Sequence, residues 1–249
     1  MSAQQNYMRP HALEGETTRH EVSCTDDMFV ISNRDSNGNL VEVLGRISHA
    51  GSCAAAIIDA LTKVITLALT AGVPEHAFFK ALTGIGCNSG ESCVSALGEL
   101  LRNDEQYESR IHKPAMAQTT TYTWQTGCGE VSTTCFGTMG TLDSVLVSSV
   151  KPSTCAAAIS AGLQNAITVA LQHGVDAEQI AIAINGILCP KATGIPKVQK
   201  VEEDDAQLIG MVEVEVTRPS CITAIALSIR AHINPASEEE LPLPETEEV

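Results

Sequence analysis

The chain has 249 residues, a formal net charge of −15 and 3% aromatic residues, while 44% of its residues are hydrophobic. This acidic balance argues against nucleic acid as a partner, because binding to DNA or RNA depends on Lys and Arg neutralising phosphates. The apolar content is enough for a folded core, filled by Ala, Val, Ile and Leu. No secretory signal or uninterrupted apolar span of membrane length is evident, so we expect a cytoplasmic protein that does not cross a membrane.

The N-terminal part predicts a short flexible segment followed by a first folded unit. We assign residues 1–16 to the flexible N-terminus and residues 17–104 to the first unit. Two β-rich runs lie on either side of Asn37 and Gly38, a dipeptide that is typical of tight hairpin turns. This stretch therefore predicts two antiparallel strands.

Three helices are predicted after this hairpin. Ser52 is a good N-cap, and apolar residues then recur at helical spacing until Gly72, which can end the helix. Pro74 is suited to open a second, shorter helix, and Ser92 to cap a third. The first unit is therefore expected to be a small antiparallel sheet followed by about three helices.

The second half of the chain predicts the same order of elements. We expect a linker at 105–117 and a second unit at 118–233, which carries an insertion at 190–218. The insertion contains MVEVEVT (211–217), whose alternation of apolar and charged residues is typical of an exposed strand. The acidic, proline-containing stretch 234–249 has little to bury and predicts a disordered tail.

An internal repeat explains this parallel order. Sliding the chain by 102 residues aligns 53–87 with 155–189 without a gap, and nearly half of the aligned residues are identical. The repeated helices predict an α+β fold in which the two units pack on each other about a pseudo-two-fold axis. Two separate beads on a string are the alternative.

The cysteines fall into register when the two units are aligned, and only Cys135 is left over. The matched residues are Cys24, Cys53, Cys87 and Cys93 in the first unit and Cys128, Cys155, Cys189 and Cys221 in the second. Four thiols per unit suit a zinc ion or an iron–sulfur cluster, and several follow a Ser or Thr at a helix start, where the helix dipole favours a thiolate. Neither unit contains C-x-x-C, so buried inert thiols and a thiol–disulfide switch remain open as alternatives.

Other chemistry-bearing motifs are weak, and no catalytic residue is assigned. TGCGE (126–130) lacks the lysine and the strand–loop–helix setting of a phosphate-binding loop, so it predicts a tight turn. His49 and His173 do not occupy matching positions and are expected at the surface or at helix ends.

The repeated unit resembles the TSCPD domain, which is found at the C-terminal end of cobalamin-dependent ribonucleotide reductases and in short free-standing proteins. The resemblance lies in GNLVEVLGRISHAGSCAAAII and ESCVSALGELL of the first unit, and in TGCG, NGILCP and PSCITAIALSI of the second. Val94 and Ile222 follow the signature cysteines where the family has proline. The resemblance implies that this chain is a tandem TSCPD protein linked to deoxynucleotide synthesis.

The function implied by this resemblance is accessory and not catalytic. A reductase of this class needs a barrel with a radical cysteine and a cobalamin site, and the chain is too short to supply them, so it is expected to bind no cobalamin alone. We expect a regulatory partner of such a reductase, with cysteine-bound zinc or an iron–sulfur cluster. The alternatives are a nucleotide-binding protein that uses the cleft between the units, and a thiol-redox partner. Assembly into a homo-oligomer stays open.

Overall fold

A computed structural model describes seven stretches of the chain: residues 13–22, 26–47, 52–87, 90–102, 118–149, 155–189 and 218–235. The predicted linker, the exposed strand in the insertion and nearly all of the predicted tail lie outside these residues. Those assignments therefore stay predictions. The remaining boundaries can be compared with helices and strands of the two units.

The first unit begins with a three-stranded antiparallel sheet in the order β1-β2-β3. Its strands are β1 (Glu14–Val22), β2 (Asp26–Arg34) and β3 (Leu40–Ile47). The predicted hairpin is confirmed between β2 and β3, where the Asp35 carboxylate accepts hydrogen bonds from the backbone N–H groups of Asn37 and Asn39. Gly38 adopts a φ of +84°, which explains why glycine suits this turn.

Strand β1 was not among the predicted elements, and it begins within the segment expected to be flexible. Its sequence EGETTRHEV is mostly polar and shows no apolar alternation, so periodicity gives no signal. The strand forms because it pairs along its whole length with β2, at the edge of the sheet, where most of its side chains face solvent. Ordered structure therefore starts at least as early as Glu14.

The three predicted helices of the first unit are confirmed. They are α1 (Cys53–Thr70), α2 (Glu75–Leu82) and α3 (Cys93–Leu100). The Ser52 hydroxyl accepts a hydrogen bond from the N–H of Ala55, and the Ser92 hydroxyl accepts one from Ser95, both at 3.1 Å. These are the contacts expected of N-cap residues. Two strands of two residues each, β4 (Gly86–Cys87) and β5 (Gly90–Glu91), pair with each other and lead into α3.

The second unit repeats the sheet-then-helix arrangement. Its elements are β6 (Thr119–Thr126), β7 (Gly129–Phe136), β8 (Ser144–Ser149), α4 (Cys155–Gln172), α5 (Ala177–Ile184) and α6 (Cys221–Ile233). The sheet is antiparallel in the order β6-β7-β8. Asp176 caps α5 by accepting from the N–H of Gln179, and Ser220 caps α6 by accepting from the N–H of Thr223.

The two units pack on each other through their long helices. Helices α1 and α4 lie side by side, each also covering one face of its own sheet, and the shorter helices cross over reciprocally, with α2 on α4 and α5 on α1. A hydrogen bond of 2.7 Å from the Asn165 side chain to the carbonyl of Ala81 ties α4 to α2. One continuous apolar core contains residues of both units. The packed pseudo-two-fold arrangement is therefore confirmed over the separate-bead alternative.

Gly162 sets how closely α4 approaches the first unit. A Cβ atom at this position would lie 2.6 Å from Val94 Cγ1, and Val94 is fully buried. In an exposed helix, Gly→Ala stabilises by up to about 1 kcal/mol. We expect Gly162→Ala to have the opposite sign and to lower the free energy of unfolding by about 1–3 kcal/mol, because the core is overpacked. Denaturant unfolding checks this, and a stabilised variant would contradict the close packing of α4.

Candidate functional site

The structure describes the side chains of five of the eight matched cysteines. Cys24 lies outside the described residues, and Cys53 and Cys155 are placed by their backbone as the first residues of α1 and α4. The remaining five are Cys87, Cys93, Cys128, Cys189 and Cys221. The prediction can therefore be compared with geometry mainly in the second unit.

Two cysteines of the second unit come together although they are far apart in the chain. Cys128 lies in the two-residue turn between β6 and β7, and Cys189 lies in the loop that follows α5. Their Sγ atoms are 3.7 Å apart across a sequence separation of 61 residues. The turn itself confirms the prediction for TGCGE, since Thr126 pairs with Gly129.

Thr126 connects this turn to the start of α6. Its hydroxyl donates to the carbonyl of Gly129 at 2.6 Å and accepts from the N–H of Cys128 at 3.2 Å. The same hydroxyl oxygen lies 3.6 Å from the Sγ atom of Cys221. Thr126 is buried, and its hydroxyl contacts both the backbone N–H of Cys128 and the sulfur atom of Cys221.

In both units a serine at the start of a helix donates a hydrogen bond to the segment that leads to a cysteine, a contact that we call the serine bridge. In the second unit the Ser220 hydroxyl donates to the carbonyl of Ile187 at 2.6 Å, so the start of α6 is tied to the loop that carries Cys189. In the first unit Ser92 makes the equivalent hydrogen bond to the carbonyl of Ile85, two residues before Cys87. The N-cap serines therefore have two roles, because each caps a helix and also positions a cysteine loop.

Sequence reasoning missed Thr126 and the second role of the serines. A threonine two residues before Cys128 gives no signal by itself, since Thr is common throughout β6. A serine before a cysteine at a predicted helix start, as at 92–93 and 220–221, indicates only a helix cap. Ser92 follows Ile85 by 7 residues and Ser220 follows Ile187 by 33, so the spacing in the sequence gives no signal for the shared bridge.

The donor set can be compared with what a metal ion requires. Among the residues that the structure describes, no group of three or more His, Cys, Asp or Glu side chains is gathered closely enough to hold a metal ion. The distance between the sulfur atoms of Cys128 and Cys189 nevertheless suits two ligands of one metal ion. Two thiolates bound at about 2.3 Å to a tetrahedral zinc lie about 3.8 Å apart. The two sulfur atoms are thus about as far apart as two cysteine ligands of one tetrahedral zinc ion.

Cys135, the cysteine without a counterpart, lies in a different environment. It is fully buried in β7, with its Sγ atom 3.9 Å from the carbonyl oxygen of Ser228. Burial raises the pKa of the Cys135 thiol to about 12. The thiol is therefore protonated at every physiological pH, which fits a packing role.

We expect the native protein to show no alkylation of Cys135 by iodoacetamide at pH 8, because the thiolate is the reactive form and the side chain is inaccessible. Peptide mass spectrometry after timed labelling checks this. In urea the same residue should become fully labelled. Rapid labelling under native conditions would contradict both the burial and the raised pKa.

These features define a small α+β protein of two units, the second of which presents cysteines from a sheet turn, a loop and helix starts. Residues 3–105 match the family model of the TSCPD domain. The match covers the first unit and less than half of the chain, and this family is associated with ribonucleotide reductases. That the second unit is another copy of this domain stays a prediction. Neither the curated proteins nor the solved structures compared with the chain gave a match.

One further structural finding concerns membranes. Within the described stretches, no helix combines the length and the apolar character needed to cross a bilayer.

Proposed function

We propose that this chain is a non-catalytic accessory or regulatory module of a cobalamin-dependent ribonucleotide reductase, and that cysteine-bound metal stabilises it. The association with reductases is supported by the TSCPD domain at residues 3–105. The module would act by binding to the reductase, and the active-site chemistry would remain on the enzyme.

The single observation that supports a bound metal is the distance of 3.7 Å between the Sγ atoms of Cys128 and Cys189. In the proposal Cys221 is a third ligand, because the Thr126 hydroxyl contacts both the backbone N–H of Cys128 and the sulfur atom of Cys221. In the proposal, Cys155 completes a set of four in the second unit. The matched cysteines Cys24, Cys53, Cys87 and Cys93 form the corresponding set in the first unit.

The spacing favours a single tetrahedral ion over a four-iron cluster. In a [4Fe–4S] cluster each cysteine binds a different iron, so the sulfur atoms lie farther apart than two ligands of one metal. Zinc is the ion that four thiolates most commonly hold in a structural site. We therefore propose zinc first and an iron–sulfur cluster second.

The accessory role is tested by binding between the untagged full-length chain and a purified cobalamin-dependent reductase. We expect the two proteins to elute together in size-exclusion chromatography and the chain to change reductase turnover. A cobalamin-independent reductase serves as the control and should not bind. The absence of both a complex and any change in turnover at about 10 μM of each protein would contradict this role.

The same pair of cysteines favours a second candidate, a thiol-redox partner. Cys128 and Cys189 could be oxidised to a disulfide if their sulfurs moved to bonding distance, about 2.05 Å, with release of two electrons and two protons to the reductase. Metal analysis separates the two candidates. A metal-free protein whose two thiols cycle with reductase turnover would support the redox role and contradict the metal.

A further inference from the structure

A cavity of about 400 Å³ opens between the two units, beside the loop that carries Cys189. One wall is the N-terminal part of α1 and the other is the loop after α5. Its lining includes Ser52, Asp59 and Lys63 from α1 and Asn185, Ile187 and Leu188 from the loop. A volume of this size lies within the range of about 300–1,000 Å³ that is usual for small-molecule sites.

Asp59 and Lys63 are the charged residues among those that line the cavity, and Arg46 of β3 contacts Asp59 from outside this lining. The Asp59 carboxylate contacts Lys63 through one oxygen and Arg46 through the other, each at 3.0 Å. Burial raises the pKa of Asp59, but the hydrogen bonds from Lys63 and Arg46 outweigh that effect and hold the pKa below its usual value. Two cations thus share one carboxylate, which leaves one net positive charge in a chain of net charge −15.

The repeat provides an internal control for this charged group. The positions that correspond to Asp59 and Lys63 in the second unit are Ala161 and Asn165, and Asn165 instead bonds the carbonyl of Ala81. The same helix therefore packs in the same fold without the two charges. Packing of the long helix does not require Asp59 and Lys63, so a role at the cavity accounts for them better.

The opposite wall is mixed, because it combines Asn185 with the apolar side chains of Ile187 and Leu188. Leu188 is 67% exposed, and it lines the cavity together with Ile187. Ala55 and Ala56 face the same space from α1. A ligand that fills this cavity would place an apolar or planar body on these side chains and an anionic group near Lys63.

We propose that this cavity binds a small phosphate monoester that carries a planar or apolar body, with Lys63 contacting the phosphate and Leu188 packing on the body. Lysine is a common phosphate ligand and acts as a compact point charge. The first turn of α1, which reaches the cavity at Ser52, adds the positive end of a helix dipole. This inference does not depend on the metal or on a reductase partner.

The test is isothermal titration calorimetry of the full-length chain with adenosine monophosphate, inorganic phosphate and adenosine. We expect adenosine monophosphate to bind more tightly than the other two, since each of those supplies only one half of the contacts. Lys63→Gln should weaken its binding by about 10- to 100-fold, the usual effect of losing a hydrogen bond to a charged group. Lys63→Arg, which keeps the charge, should restore most of the affinity.

Lys80→Gln is the matched control, because it removes the same charge from a residue that does not line the cavity. It should bind as the wild-type chain does. Circular dichroism establishes that each variant is folded. Binding of adenosine monophosphate that is absent, that is no tighter than that of phosphate or adenosine, or that is equally weakened by Lys63→Gln and Lys80→Gln would overturn the proposal.

Discussion

The Cys189→Ser variant is expected to lose about one equivalent of metal per chain and to unfold at a lower temperature than the wild-type protein. Cys189 supplies one sulfur of the 3.7 Å pair, and serine is a poor ligand for a metal that prefers thiolate. Losing about 3 kcal/mol would lower the melting temperature of a chain of this size by about 6–12 °C. Metal analysis and thermal unfolding of the same preparation measure both effects.

Cys135→Ser is the control for this variant. It makes the same chemical change at a buried cysteine outside the two matched sets. We expect it to leave the metal content unchanged, whatever its effect on stability. Equal metal content in the wild-type chain and in Cys189→Ser would contradict the assignment of Cys189 as a ligand.

Leu61→Ala is expected to destabilise the whole chain by about 2–5 kcal/mol. Leu61 is fully buried on α1, and a Cβ atom at Gly162 of α4 would lie 3.5 Å from its Cδ2 atom, so it packs at the contact between the units. Leu163, its counterpart in the repeat, is equally buried, and Leu163→Ala should have a similar effect. Ile182→Ala, at a side chain that is 56% exposed, should change stability by less than about 0.5 kcal/mol.

Denaturant unfolding of these variants also tests the shared core. If α1 and α4 join the units as described, each Leu→Ala variant should show one cooperative transition that is shifted as a whole. Two separate transitions, with each substitution affecting only one of them, would mean that the units fold independently.

The helices could be predicted from the sequence because their signals are local. Ser52 and Ser92 cap helices where the pattern of small polar and apolar residues predicts them, and Asp176 and Ser220 cap the corresponding helices of the second unit. The repeat strengthened these predictions, since each helix was supported by a second copy. Strand β1 could not be predicted in the same way, because its pairing with β2 stabilises a polar sequence that has no periodicity of its own.

Finding which cysteines lie close together requires both the sequence repeat and the tertiary structure. The repeat indicated which cysteines correspond, but it could not show that Cys128 and Cys189 meet. Their approach requires the β6–β7 turn, the loop after α5 and the start of α6 to converge, and Thr126 and Ser220 bring this about. Such contacts arise only from tertiary packing. The charged residues at the cavity could be recognised from the sequence alone, because the change from Asp59 and Lys63 to Ala161 and Asn165 is visible when the two units are aligned.

Metal content of the untagged full-length protein, measured by inductively coupled plasma mass spectrometry with an absorption spectrum of the same sample, tests the central claim most directly. We expect about one to two equivalents of zinc per chain and no visible absorption band from iron–sulfur chemistry. A content of less than about 0.2 equivalents of zinc and of iron, in protein that is folded and fully reduced, would contradict the proposed cysteine-bound metal.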